Sequence, residues 1–136
     1  MKNLISIITI ALLAVACGAT ADKARDLQIP APEDVVMYQV NPRNFAPQNS
    51  FNAVAAHLDS IKTMGVNTIW FMPIYEIGKI KSVNSPYSIK DYRSVNPEFG
   101  TLADFKSLVA ESHKRGMIVI VDWVANHTSP DAVWVT

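Results

Sequence analysis

Between Val35 and Asp122 short apolar runs alternate with stretches of helical spacing, in the order strand, helix, strand, helix, strand. Val35-Val36-Met37-Tyr38-Gln39-Val40 is an apolar run stopped by Asn41-Pro42, the pattern of a strand and a break. Phe51, Val54, Leu58 and Ile61 then recur at helical intervals and share one face. Ser50 stands where a helix cap is expected and Gly65 where a helix ends. Thr68 to Met72 is apolar on both faces and stops at Pro73, as a parallel strand covered on both sides would. The second helix opens with Thr101 and Asp104 at capping-box spacing. Leu102, Phe105 and Val109 form its expected buried stripe, Lys114 and Arg115 suit the dipole of its last turn, and Gly116 closes it. A third strand runs from Met117 to about Asp122.

Each helix therefore ends on a glycine and returns directly to a strand, the signature of parallel strands joined by crossovers. A doubly wound sheet and a (β/α)8 barrel both meet this description. A dinucleotide-binding sheet wants a glycine-rich turn after its first strand. Here that turn is Asn41-Pro42-Arg43-Asn44-Phe45, without a glycine. The expected fold is α/β, a partial TIM (β/α)8 barrel of about the first three strands and two helices. Residues Ile74 to Gly100 carry no recognisable element, and a connection of that length inside a compact domain is usually functional.

The start of the chain reads differently. Met1-Lys2-Asn3 is a short basic opening, and Leu4 to Ala16 is apolar apart from Ser6 and Thr9, shorter than a membrane-spanning helix. Small residues lead into Cys17, the single cysteine. We therefore expect a lipoprotein-type signal peptide at 1–16, a tether at 17–32 and the barrel portion at 33–136. Cys17 is the expected lipidation site, and the expected location is the bacterial cell envelope, exported and held at the membrane by that anchor. The zero net charge offers nothing to a nucleic acid.

Function in a barrel gathers at the carboxyl ends of the strands. There the third strand reads Val121-Asp122-Trp123-Val124-Ala125-Asn126-His127-Thr128. An inward Asp122 puts Ile118 and Ile120 inward too and turns Val119 and Val121 to the helices. A carboxylate after five apolar residues needs a hydrogen-bonding partner at the mouth. Asp91 reads as a turn-capping residue, His57 and His113 as solvated helix positions, Trp70 and Phe71 as core, and Trp123 as packed under the loop.

Asp122, three residues, then Asn126-His127 resembles the first motif region of the α-amylase family, glycoside hydrolase family 13. Tyr87, four residues before Asp91-Tyr92, resembles a second segment of that family. Phe99-Gly100-Thr101 with Asp104-Phe105 resembles its next helix start, and Tyr38 to Phe45 its first strand and turn. The resemblance runs from Val35 to Thr128. It implies a retaining glycosidase acting on α-glucans, with His127 donating a hydrogen bond to the sugar and Tyr87 stacking on it. It also implies Asp122 as a support residue at the base of the site and Asn126 as a candidate Ca2+ ligand, calcium being the only cofactor expected. Such chemistry needs two carboxyl groups about 5–5.5 Å apart. The family draws them from its fourth and fifth strands, so no catalytic residue is expected in this chain and the reaction belongs to the parent protein. A transglycosidase or isomerase of the same family, and a non-catalytic glucan-binding surface lipoprotein, are the alternatives.

Overall fold

The computed structural model describes residues 27–135. The expected signal peptide, Cys17 and most of the tether lie outside the described residues. A turn of 3-10 helix at Pro32–Asp34 leads into the elements. In chain order these are β1 (Met37–Val40), α1 (Pro42–Phe45), α2 (Ser50–Ala56), α3 (Leu58–Thr63), β2 (Thr68–Phe71), β3 (Glu76–Ile77), β4 (Ile89–Asp91), α4 (Leu102–Lys114) and β5 (Ile118–Val121).

The three expected strands form one parallel sheet in the order β1-β2-β5, with Tyr38, Ile69 and Val119 in register and Gln39, Trp70 and Ile120 beside them. Alternation then divides the faces. Val40, Ile69 and Phe71 are buried, and Val119 and Val121 pack against the same core together with Phe51, Val54, Leu58 and Leu108 from the helices. Phe51 is its centre. Its ring meets Phe71 and Phe99 edge-on at 6.4 and 6.1 Å, the geometry that aromatic quadrupoles favour. The other face carries Gln39, Trp70 and Ile120, and Ile120 is 40% exposed.

Two local expectations are corrected. The first helix is broken at His57, and Ser50 is its first residue rather than its cap. Asn49 holds the cap position in the left-handed region, φ 51°. The break has a local cause. The His57 ring nitrogen lies 2.8 Å from the Ala53 carbonyl, the acceptor a continuous helix would use, and the His57 backbone N–H bonds to Val54 instead. All four stripe residues are nevertheless buried. In α4 the capping box is complete, but the buried face is centred on Leu108 and Ser112. At 100° per residue Leu102 and Val109 then fall at its rim, and Leu102 is 46% exposed. Gly65 and Gly116 end α3 and α4 at φ 84° and 69°, a region that side chains disfavour.

The segment expected to hold no element contains an antiparallel pair, β3 with β4, too short for periodicity to reveal. The chain beyond β5 is strapped to this hairpin. Ser129 N–H donates to the Ile89 carbonyl at 2.9 Å and Val133 N–H to Lys90 at 3.1 Å. Asp131 accepts the backbone N–H groups of Lys79 and Ile80 at 3.0 and 3.4 Å and the Ser129 hydroxyl. The Lys79 N–H and then the Ser129 hydroxyl hold its carboxyl down at about 2. Gly78 makes this approach possible: a Cβ there would lie 1.8 Å from Ser129 Oγ.

Candidate functional site

Asp122 is the first residue past β5, and its backbone N–H extends the ladder by one bond to Phe71, 2.9 Å. Its carboxylate is half-buried at the ends of β2 and β5. The partner its burial demanded is double. Trp70 Nε1 donates to Oδ1 at 2.6 Å and the Tyr87 hydroxyl donates to Oδ2 at 3.0 Å. Trp70 is thus not simply core. It stands on the sheet face away from the helices, half-buried, with its indole N–H committed to Asp122. Phe71, its neighbour, is core as expected.

Tyr87 lies one residue before Ser88 and β4, 36% exposed. Partial burial raises its phenol above the ordinary value, and the bond to Asp122 and that group's negative charge raise it further. The hydroxyl therefore remains a donor at neutral pH. Tyr75 is raised first by burial, then by Tyr92 and by the charge of Asp122.

Next to this network is an open cleft of about 650 Å3, lined by Tyr75, Tyr92, Trp123, Asn126, His127 and Trp134 among others. His127 is exposed, with Nδ1 3.1 Å from the Asn126 amide nitrogen. The structure thus brings Asp122 together with Tyr87, and Asn126 together with His127; Tyr87 and Asp122 are not in the cleft's lining. Trp123 is not packed under the loop. It is 77% exposed, because its position after Asp122 alternates away from the partners that hold the carboxylate. Asp91 does cap a turn, accepting the Arg93 N–H at 2.9 Å.

Three aromatic residues of the cleft escaped the sequence reading. Tyr75 and Tyr92 approach ring to ring at 5.0 Å, and Trp134 stacks on Tyr92 at 5.3 Å with 15° between the planes. Tyr92 directly follows Asp91 in the segment that drew attention to Tyr87, which was the available signal. Trp134 had none, since its partner is 42 positions away.

Ca2+ asks for six to eight oxygens. Asn126 offers one side-chain oxygen, and among the described residues no group of three or more His, Cys, Asp or Glu gathers anywhere. Nor does a carboxylate line the cleft. Its polar groups are the His127 imidazole, the Asn126 amide and the Thr128 hydroxyl beside aromatic faces, a lining that suits a polar ring with apolar C–H faces.

Known proteins resemble this chain in sequence and fold. The family described as Alpha amylase, catalytic domain matches residues 39–136. An oligo-1,6-glucosidase of Parageobacillus thermoglucosidasius is 38% identical over 107 residues, 75% of this chain and 18% of that protein. The crystal structure of an alpha-amylase from Lactobacillus plantarum superimposes with a TM-score of 0.69 and 46% identity, over 74% of this chain and 24% of that one. An isomaltulose synthase mutant from Erwinia rhapontici, crystallised with its natural substrate sucrose, superimposes with a TM-score of 0.70 and 35% identity, over 79% of this chain and 20% of that one. The chain spans about a fifth of the length of the curated relative and less than a quarter of each solved neighbour.

Proposed function

The chain belongs to the α-amylase catalytic-domain family, and on that premise we propose that the whole protein is a retaining glycosidase acting on α-glucans. In this reading β1, β2 and β5 are three strands of a closed (β/α)8 barrel, and the residues after them furnish part of its sugar subsite. His127 donates to a sugar hydroxyl, the Tyr87 ring covers the sugar, and Asp122 supports the site from below. The observation that carries the reading is the convergence at the ends of β2 and β5 of the Trp70–Asp122–Tyr87 bonds beside the cleft that holds His127. Hydrolysis with retention needs a nucleophile and an acid about 5–5.5 Å apart. No cleft-lining residue is a carboxylate, and in this reading residues 27–135 supply part of the sugar subsite while the two reacting carboxyl groups come from the rest of the protein.

The test is turnover of maltodextrin by the purified whole protein, with the anomer of the first product read by NMR. Retained configuration is expected; no release of sugar from any α-glucan would refute the reading. The likeness to the isomaltulose synthase favours one second reading, glycosyl transfer. Disaccharide products from sucrose in place of free monosaccharides would select it. For calcium, Asn126 is proposed as a single ligand completed by oxygens outside this segment, and an unchanged unfolding midpoint after chelation would remove it. At the start of the chain Cys17 is proposed to carry the lipid anchor of an exported envelope protein. Incorporation of a labelled fatty acid should disappear in Cys17→Ser.

A further inference from the structure

The stretch that carries His127 is held by almost none of its own backbone. Among the described residues, no backbone–backbone hydrogen bond is made by residues 123–128. Asp122 before it is bonded to β2 and Thr128 after it to the Ile89 carbonyl of β4, 2.5 Å. Between those points, the side chain from another element that reaches the turn is Tyr92. Its hydroxyl donates to the Val124 carbonyl and lies 3.5 Å from the His127 carbonyl. The ring cannot swing freely, because Tyr75 tilts against one part of it and Trp134 stacks on it. Burial raises the Tyr92 phenol, so the donor proton is retained. Tyr92 follows β4 directly, and Tyr87 precedes that strand by two positions.

We infer that Tyr92 is a positioning residue: its hydroxyl fixes the turn that carries His127 against the hairpin that carries Tyr87. The two sugar-facing groups then keep one spacing, set through a three-residue strand. This rests on the sugar-binding role proposed for His127. A displacement of about 1 Å at such a group can cost roughly 10²-fold in rate, so loss of the hydroxyl should be felt in turnover although Tyr92 need not touch the substrate.

The experiment is a double-mutant cycle in the whole protein with Tyr92→Phe and His127→Ala, which isolates coupling between the two sites. Tyr92→Phe keeps the ring and its stacking. Its kcat per folded molecule should fall roughly 10- to 100-fold. In the His127→Ala background the same change should alter kcat less than about twofold. Equal losses in both backgrounds, or an unfolding midpoint that drops while kcat per folded molecule is unchanged, would overturn the inference. If Tyr92→Phe does not fold, the same cycle is read on Trp134→Leu, which leaves the hydroxyl and loosens its stacking; a loss confined to the background with His127 supports the assignment, and equal losses overturn it. The His127 imidazole NMR resonance supplies a readout that needs no turnover. It should move in Tyr92→Phe, and an unmoved resonance overturns the inference. Absent wild-type turnover alongside a moved resonance would refute the proposed function and leave the positioning role standing.

Discussion

The helix-covered side of the sheet and the loops at its carboxyl ends are built from similar residues held in different ways. On the helix side Phe51, Phe71 and Phe99 bury completely or nearly so against Val54, Leu58 and Ile69. Each ring there is one of many apolar neighbours, and its energy comes from area removed from water. At the carboxyl ends Trp70, Tyr75, Tyr87 and Tyr92 remain partly exposed; Trp70, Tyr87 and Tyr92 are each engaged through a polar atom, and Tyr75 lies between the Tyr92 ring and the edge of the core. Aromatic rings therefore serve two purposes in one small domain. Phe51, Phe71 and Phe99 close the core, whereas Trp70 and Tyr87 hold Asp122 and Tyr92 reaches the turn toward His127. A cost in stability and a cost in chemistry should accordingly be separable by position.

The largest expected effect tests the packed side. Phe51→Ala empties the centre of the cluster and should destabilise the whole protein by about 3–5 kcal/mol. Denaturant unfolding measures it, and kcat of the molecules that remain folded should stay near wild type. A large fall in kcat per folded molecule would break the division between the two regions.

His127→Ala should do the reverse. One lost donor to the sugar lowers kcat/KM by about 10²–10³, roughly 2.7–4 kcal/mol of transition-state stabilisation. The unfolding midpoint should barely move, because His127 is exposed. Unchanged kinetics in a folded variant would remove His127 from the site.

Gly78→Ala sharpens the boundary between the regions, since it acts on the strap from the hairpin to residues 129–133. A methyl group there meets Ser129 and Asp131 side-chain atoms at 1.8 to 2.4 Å, so overpacking should cost about 1–3 kcal/mol. We expect a lowered midpoint together with a modest loss of kcat. A midpoint equal to wild type would mean that the strap gives way freely.

The smallest effect is one of pH. Asp131 titrates at about 2 in the folded protein, below its ordinary 3.8. A folded value below the unfolded one adds stability above the unfolded pKa, and that addition is lost as pH falls through the folded value. The difference in midpoint between wild type and Asp131→Asn should therefore be full at about pH 6 and shrink as pH falls from about 4 toward 2. A difference that does not change over that window would mean that the charge of Asp131 contributes nothing to the strap.

Much of the architecture was legible because it is local. The capping spacing of Thr101 and Asp104, the glycines after α3 and α4 and the apolar runs of β2 and β5 each express a preference within a few residues, and all recur in the structure. The family motif at Asp122, Asn126 and His127 was legible for the same reason, and so was the need of Asp122 for a partner. What escaped was decided by contacts between residues 12 to 52 positions apart. No periodicity announces that Trp70 lends its indole N–H to a residue 52 places on, or that Tyr92 reaches the Val124 carbonyl 32 places on. The same holds for the β3–β4 pair, since two- and three-residue strands carry too few alternations to read and exist because the partner is present. The buried side of α4 was settled by the aromatic cluster it packs on, which moved Leu102 to the rim. Sequence by itself determined the order of the three parallel strands and of the helical stretches between them, and the chemistry available at the end of β5, because propensity, capping and motif spacing act along the chain. Only the tertiary structure decided which rings became core and which became hydrogen-bonding arms, because a polar atom commits to a role only when folding brings a distant partner within about 3 Å.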